Sequence, residues 1–247
     1  MTKRTEIEIS GLGGQGVITL SKLIASAVIL HEDGKNATQT EAYGAAARGG
    51  SCWGEVVIHD SEELIDYPRA IPPYDILIVL SEDAVSKYKK SAKNGGIVIY
   101  DSTTINPNKM KFKNSNIYDV PAQRIARDKF KTIVSNVLLF GAVIGISGII
   151  TEKSGLSTVE EFVPKKFLDL NIHAYNKGIE VGKNLKLLNQ IASELTKISE
   201  NFKNLYKQYK KGKAKLDDIS KLAKEEYNKS KDDKFKKFID IINNIYN

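Results

Sequence analysis

A glycine-rich turn near the amino terminus is the pattern in this chain best suited to chemistry. It reads Gly11-Leu12-Gly13-Gly14-Gln15-Gly16 and lies between a predicted strand at 6–10 and a predicted apolar helix at 17–30. Its spacing fits G-x-G-x-x-G, which binds dinucleotide phosphates when it follows a strand and opens a helix. Such a turn can direct the free N–H groups of a helix start at an anion, or simply permit tight strand-to-helix packing. The sequence leaves both interpretations open.

A second glycine cluster follows a short way downstream. It reads Tyr43-Gly44-Ala45-Ala46-Ala47-Arg48-Gly49-Gly50. The planar donor fork of Arg48 suits a carboxylate or a phosphate, and Gly49 and Gly50 would let a ligand or a partner backbone approach closely. Alternatively, Arg48 bonds local carbonyl groups, and Tyr43 is either at the border of the cleft or buried with its hydroxyl satisfied.

Composition limits the chemistry that this chain can perform alone. Cys52 is the only cysteine, and the three histidines, His31, His59 and His173, are scattered. We therefore expect no disulfide, no iron–sulfur cluster and no metal site within the chain. Cys52 has no histidine near it in sequence to lower its pKa, so we interpret it as a small buried apolar residue.

The net charge of +7 is concentrated in the tail. From residue 187 onward there are 14 lysines and nine acidic residues, which leaves the rest of the chain close to neutral. A neutral body argues against nucleic-acid binding, because phosphate contacts need clustered Lys and Arg. The charged amino terminus does not resemble a signal peptide, so we expect a cytoplasmic protein.

Periodicity alternates between strand and helix along most of the chain. We predict a doubly wound, mostly parallel α/β sheet with flanking helices and a C-terminal helical extension. Further strands are predicted at 36–43, 55–59, 75–80 and 97–100, the last after a turn at Gly95-Gly96. Ser81 and Pro121 are predicted to open helices, and Ser157 with Glu160 forms a capping box for another.

Residues 132–150 form a run of nineteen residues without a charge. We predict a buried central helix rather than a membrane span, because polar residues interrupt the run. Its glycines, Gly141, Gly145 and Gly148, would form one face for close packing. Asn136 must find hydrogen-bond partners there, and we expect it to tie the glycine turn to this helix.

The lysine-rich tail is amphipathic. A heptad seam runs from Leu188 to Tyr209, Gly212 interrupts it, and two further apolar clusters follow. We predict two units, an α/β domain at 1–185 and a lysine-rich helical arm at 186–247. The arm could fold back on its own body or dock on a partner subunit, and contact with an anionic membrane is a lesser alternative.

Taken together, these motifs resemble the gamma subunit of 2-oxoacid:ferredoxin oxidoreductases. The resemblance begins with the two glycine clusters and extends to about residue 182. It includes Thr38-Gln39-Thr40, Ile65-Asp66-Tyr67-Pro68, Val120-Pro121-Ala122 and Asn136. The segment Ile65-Asp66-Tyr67-Pro68 is most similar to 2-oxoglutarate-type subunits. Two features depart from the pattern: Ala45-Ala46, where members often carry Pro-Glu, and the tail beyond residue 185.

The resemblance implies a thiamine diphosphate-dependent reaction in which a 2-oxoacid, CoA and oxidised ferredoxin give an acyl-CoA, CO2 and reduced ferredoxin. Companion alpha and beta subunits, with a delta subunit as an open alternative, would carry the thiamine diphosphate and iron–sulfur clusters. This chain would shape the CoA or oxoacid region without a catalytic residue of its own, through Gly11, Gly13, Gly14, Gln15, Gly16, Tyr43, Arg48, Gly49 and Gly50. The isolated chain would be inactive.

A free-standing NAD(P)-dependent dehydrogenase is the alternative. It would need an acidic residue about twenty positions after the glycine turn, at the end of the second strand. Asn36 and Thr38 occupy that neighbourhood. A third hypothesis makes the chain an assembly scaffold with an empty glycine cleft.

Overall fold

A six-stranded sheet forms the centre of the part of the protein that the structure describes. The computed structural model describes residues 3–44, 49–210, 214 and 216–246. Within them the strands are β1 (Arg4–Leu12), β2 (Asn36–Tyr43), β3 (Ser51–His59), β4 (Tyr74–Val79), β5 (Ala92–Tyr100) and β6 (Asn116–Asp119). Their order is β2-β3-β1-β4-β5-β6. Strands β1, β4, β5 and β6 are parallel to their neighbours in this series, whereas β3 is antiparallel to both β1 and β2.

Helices cover both faces of this sheet, which confirms the predicted fold class. They are α1 (Val17–His31), α2 (Glu82–Tyr88), α3 (Ala122–Lys129), α4 (Ser135–Ser147), α5 (Glu152–Phe162), α6 (Leu168–Ile198), α7 (Glu200–Lys210), α8 (Leu216–Ser230) and α9 (Asp233–Tyr246). β4 packs on both sides: Ile76 and Ile78 belong to the core with α1 and α4, while Leu77 and Val79 belong to the core with α2. Its apolar run is typical of a central strand covered on both faces.

The sheet differs from the sequence prediction in several places. β3 begins at Ser51, earlier than predicted, and β6 was not predicted. The turn predicted at Gly95-Gly96 is wrong, because both residues lie within β5. Gly95 has φ 77°, and the pairing of β4 with β5 shifts register between Tyr74 and Ile76, so the chain bends there without leaving the sheet.

The uncharged run forms α4, and its glycines face α6. A Cβ on Gly141 would lie 2.3 Å from the carbonyl oxygen of Tyr175, and one on Gly145 would lie 2.5 Å from that of Ile179. On α6, Gly178 and Gly182 are equally constrained against α4. The two backbones therefore approach at a distance that only glycine permits. Gly148 departs from the predicted face, because it ends α4 with φ 68°.

None of the helices in the described ranges is both long and apolar enough to span a bilayer. The nineteen-residue run instead divides into a short 3₁₀ turn and α4, most of whose side chains are buried.

The capping box predicted at Ser157 and Glu160 is wrong. Both residues lie inside α5, whose N-cap residue is Thr151, six positions before Ser157. The Thr151 hydroxyl accepts a hydrogen bond from the Ser154 backbone N–H at 3.1 Å, so it caps the helix.

The tail folds back on α6. The predicted seam breaks first at Ser199, whose hydroxyl accepts from the Phe202 N–H at 3.1 Å and starts α7; Gly212 lies outside the described residues. The buried ring of Phe202 contacts Phe235 and Phe238 of α9, with ring centroids 5.7 and 5.2 Å apart. Because α6 runs unbroken from Leu168 to Ile198, the division at 185/186 falls within a helix, and it stays a prediction.

Candidate functional site

The two glycine clusters meet at the carboxyl edge of the sheet. The Gly13 N–H donates to the Gly50 carbonyl at 2.9 Å, which joins the turn after β1 to the loop between β2 and β3. At the base of that loop, Gly44 N–H donates to the Ser51 carbonyl at 2.6 Å. Gly13, Gly14 and Gly49 are exposed. We call this surface the paired glycine bends.

Gly14 and Gly49 leave the paired bends open. Both have positive φ, and a Cβ on either would meet no atom of the described chain within 4 Å. Their lack of side chains thus leaves bare main chain facing solvent. Such a surface allows a ligand or another polypeptide to approach the backbone closely.

Gly16 has a different role, because it packs against α4. It precedes α1 with φ 78°, and a Cβ there would lie 2.0 Å from Nδ2 of Asn136. The amide of Asn136 therefore fills the space beside Gly16, which supports the expected tie between the glycine turn and the central helix. Gly11 is likewise a packing position: its Cβ would lie 2.6 Å from Oε1 of Gln15.

Gln15 closes the crevice where a nucleotide would be expected. In open α/β sheets, ligands bind outside the carboxyl ends of two neighbouring strands whose next strands lie on opposite sides of them in the sheet. Here these two strands are β1, which is followed by β2, and β4, which is followed by β5. Oε1 of Gln15 accepts from the Leu12 N–H at 2.6 Å, and Nε2 donates to the Leu80 carbonyl at 2.8 Å. The Gln15 amide thus bridges the two strand ends and occupies the crevice itself.

The strand order also opposes the dehydrogenase alternative. In a dinucleotide-binding fold the second strand lies beside the first, and its end holds the acid that binds the ribose. Here β3 lies between β1 and β2, so β2 is about 10 Å from β1 instead of about 5 Å. An acid at the end of β2 is therefore too far from the glycine turn to complete a dinucleotide site.

Two predicted site residues remain to be placed. Tyr43 ends β2 and is 65% exposed, so it is not the buried tyrosine that the sequence also allowed. Arg48 lies outside the described residues, as do Ala45, Ala46 and Ala47. Its role as an anion ligand stays a prediction.

Cys52 is buried in β3, next to the paired glycine bends. It is 3% exposed, and burial raises the pKa of its thiol. A thiol that is both inaccessible and hard to ionise is a poor nucleophile, which agrees with its interpretation as an apolar core residue. Among the described residues, no group of three or more His, Cys, Asp and Glu side chains could hold a metal ion.

A pair of buried glutamates was missed by the sequence analysis. Glu8 of β1 and Glu55 of β3 are directly opposite each other, and they are 0% and 3% exposed. Arg69 donates two hydrogen bonds to Glu55, at 2.6 and 2.9 Å, and Thr40 donates a third at 2.9 Å. Burial alone would raise the pKa of Glu55, but these bonds outweigh it and hold that pKa below its usual value.

Burial of the Glu8 carboxyl is compensated less well. Neither of its carboxylate oxygens has a hydrogen-bond partner among the described residues. Burial raises the pKa of Glu8 to about 7, and the charge of Glu55 adds to the shift, although the nearby Tyr88 hydroxyl opposes it. Alternation along β1 predicts a solvated polar face, so no signal in the sequence indicated that Glu8 is buried.

Comparison with known proteins gives the family. A family model described as pyruvate ferredoxin/flavodoxin oxidoreductase matches residues 6–181. The chain is 40% identical over 183 residues to the 2-oxoglutarate synthase subunit KorC of Methanocaldococcus jannaschii, which covers 74% of this chain and 96% of that protein. A ketoisovalerate oxidoreductase subunit VorA of Methanothermobacter thermautotrophicus is 30% identical over 179 residues, 70% of this chain and 35% of that protein.

A solved structure agrees with this result. The gamma subunit of a keto/oxoacid ferredoxin oxidoreductase from Geobacter sulfurreducens PCA superimposes with a TM-score of 0.65 at 31% identity, covering 74% of this chain and 98% of that one. Residues 6–181, which the family model matches, include the sheet except for the first two residues of β1, include the paired glycine bends, and end within α6. The chain therefore belongs to the pyruvate ferredoxin/flavodoxin oxidoreductase family, as a gamma-type subunit of a 2-oxoacid:ferredoxin oxidoreductase.

Proposed function

We propose that the complex containing this chain is thiamine diphosphate-dependent and favours 2-oxoglutarate. It converts the 2-oxoacid, CoA and oxidised ferredoxin into an acyl-CoA, CO2 and reduced ferredoxin. The chain works in the cytoplasm with alpha and beta subunits, and with a delta subunit where the complex has one. Its own part is to shape the active-site and CoA region.

One observation carries this assignment of roles: the hydrogen bond from Gly13 to Gly50 joins two bends that are open to solvent. A surface of bare main chain can be completed by another polypeptide or approached by a ligand phosphate. The crevice beside it is closed by Gln15, so the bends act as an outward-facing surface rather than as an internal nucleotide pocket.

The residues of this chain do not fit the redox cofactors. An iron–sulfur cluster needs four ligands, usually thiolates, and the chain has one cysteine, which is buried. A diphosphate is usually held through a divalent cation on carboxylates, and the described residues contain no group of three or more His, Cys, Asp and Glu side chains that could hold a metal ion. We therefore assign thiamine diphosphate and the clusters to the companion subunits.

Support for 2-oxoglutarate comes from the relatives. Identity is 40% to a 2-oxoglutarate synthase subunit and 30% to a ketoisovalerate oxidoreductase subunit. The oxoacid pocket itself is expected in the companion chains, so the preference is a property of the assembled complex.

Reconstitution tests the proposal. The chain, the companion subunits and the assembled complex are each assayed for dye reduction with 2-oxoglutarate, pyruvate and ketoisovalerate. We expect activity from the complex alone, highest with 2-oxoglutarate, and no heat of NAD(P)H binding to the chain by calorimetry. Turnover by the isolated chain would overturn the division of roles, and a preference for another oxoacid would overturn the substrate assignment.

A further inference from the structure

An exposed apolar surface lies on the loop between β3 and β4, away from the paired glycine bends. Leu64, Tyr67 and Ile71 are 84%, 51% and 50% exposed, all within eight residues. We call them the apolar ridge. Single exposed apolar residues are common on protein surfaces, but three on one short loop are characteristic of an interaction surface.

The backbone that carries the ridge is held in place by the sheet. Nη2 of Arg4 donates to the carbonyl groups of both Tyr67 and Arg69, at 2.9 and 2.8 Å. Arg4 is itself paired with Glu6, whose other carboxylate oxygen accepts from the Ile71 N–H at 3.0 Å. The backbones of Tyr67 and Ile71 are thus fixed by a single Arg4–Glu6 pair.

Further bonds fix the earlier part of the loop. Thr38 donates to the Pro68 carbonyl at 2.9 Å, and Asn36 donates to the Glu63 carbonyl at 3.3 Å. A loop whose backbone is already fixed loses less conformational entropy on binding than a flexible one. The ridge is therefore preorganised for a partner.

Charge around the ridge is opposite in sign to that of the whole chain. Residues 60–68 contain four acids and no Lys or Arg, in a chain of net charge +7. The neighbouring Arg4 and Arg69 are both paired with carboxylates of their own chain. Glu62 and Asp66 are exposed, so the rim of the ridge is acidic and complements a basic partner surface.

The ridge and the paired glycine bends lie at opposite ends of β1 and β2. The supports of the ridge lie at the starts of β1 and β2, whereas the bends lie at the ends of the same two strands. We propose that the ridge is a second docking surface, which seats a companion subunit of the oxidoreductase in an apolar pocket rimmed by Lys or Arg. The inference rests on the proposed function, since it needs companion subunits to exist.

The test compares matched pairs of exposed apolar residues in the reconstituted complex. Tyr67→Ser/Ile71→Ser removes two of the three apolar side chains of the ridge, and both have backbones held by the Arg4–Glu6 pair. Phe162→Ser/Ile198→Ser is the control, because these side chains are 51% and 53% exposed elsewhere on the chain. We expect the ridge variant to bind the companion subunits about 100-fold more weakly at unchanged melting temperature, and the control to bind normally.

Salt dependence tests the charge argument. Glu62→Gln/Asp66→Asn should slow association and flatten its dependence on ionic strength, while leaving the melting temperature unchanged. Equal binding by wild type and ridge variant would overturn the proposal while leaving the proposed function intact. Loss of a homodimer of the free chain, with companion binding unchanged, would also overturn it and assign the ridge to a second copy. Failure of the wild type to bind companions at all would instead refute the proposed function.

Discussion

Replacing Glu8 with Gln should stabilise the protein at alkaline pH. The carboxyl group of Glu8 is completely buried beside Glu55 and lacks hydrogen-bond partners among the described residues. A buried charge without a partner is costly, and glutamine has nearly the same shape with no charge. The substitution therefore removes the cost of ionisation and keeps the packing.

The size of the effect follows from the pKa of Glu8, which is about 7 in the folded protein against 4.5 in the unfolded chain. Each pKa unit corresponds to about 1.4 kcal/mol, so the difference amounts to about 3 kcal/mol. The unfolded carboxyl ionises first as pH rises, so the free energy of unfolding of the wild type falls between about pH 4.5 and 7. Below this range the group is neutral in both states, and the cost disappears.

Urea denaturation at pH 4.5 and pH 8.5 measures this directly. We expect Glu8→Gln to match the wild type within about 0.5 kcal/mol at pH 4.5 and to exceed it by up to about 3 kcal/mol at pH 8.5. Glu62→Gln, at an exposed position, controls for the loss of one charge. A difference between Glu8→Gln and wild type that stays constant with pH, or has the opposite sign at pH 8.5, would refute the reasoning.

Three further substitutions test the packing of the fold by thermal or urea denaturation. Gly16→Ala should cost about 3 kcal/mol, since its Cβ meets Asn136 and its φ is positive, and adding Asn136→Ala should restore part of it. Arg69→Ala should cost about 2 kcal/mol at pH 7 by leaving the buried Glu55 carboxylate without its cation, and less at pH 4, where Glu55 can protonate. Phe202→Ala should cost about 4 kcal/mol, because its ring is fully buried in the arm. For any of these substitutions, a loss of less than about 0.5 kcal/mol in the free energy of unfolding would contradict the explanation given for it.

The strongest elements were predictable because their residues leave little choice. β4 carries an unbroken apolar run at residues 76–79, and α1 is a long apolar segment that begins directly after the glycine turn. β6 was missed because its four residues, Asn116–Asp119, are too few to show a pattern. The start of α5 was misplaced because Thr151 and Ser157 are both acceptable caps, and only contacts with distant residues select Thr151. One such contact joins the Thr151 N–H to Glu32 at 2.7 Å.

The candidate site was predictable in part. Spacing alone indicated that the two glycine clusters matter, but their hydrogen bond depends on the placement of β3 beside β1, which local sequence does not specify. The bridging role of Gln15 has the same origin, since its partner Leu80 is 65 residues away. Burial of Glu8 depends on the loop that follows β3 and on α2, so alternation along β1 misled the interpretation of its polar face.

Assembly and turnover of Gly13→Leu test the central claim, that the paired glycine bends are a surface completed by other polypeptides. Gly13 is exposed, its φ is not positive, and the nearest atom to an added Cβ is 3.6 Å away, so the free chain should fold normally. Asn94→Leu, an exposed position in the first part of β5, is the control. We expect Gly13→Leu to melt like the wild type but to fail to form an active complex. Asn94→Leu should melt like the wild type and form an active complex. A fully assembled, fully active Gly13→Leu complex would contradict the claim.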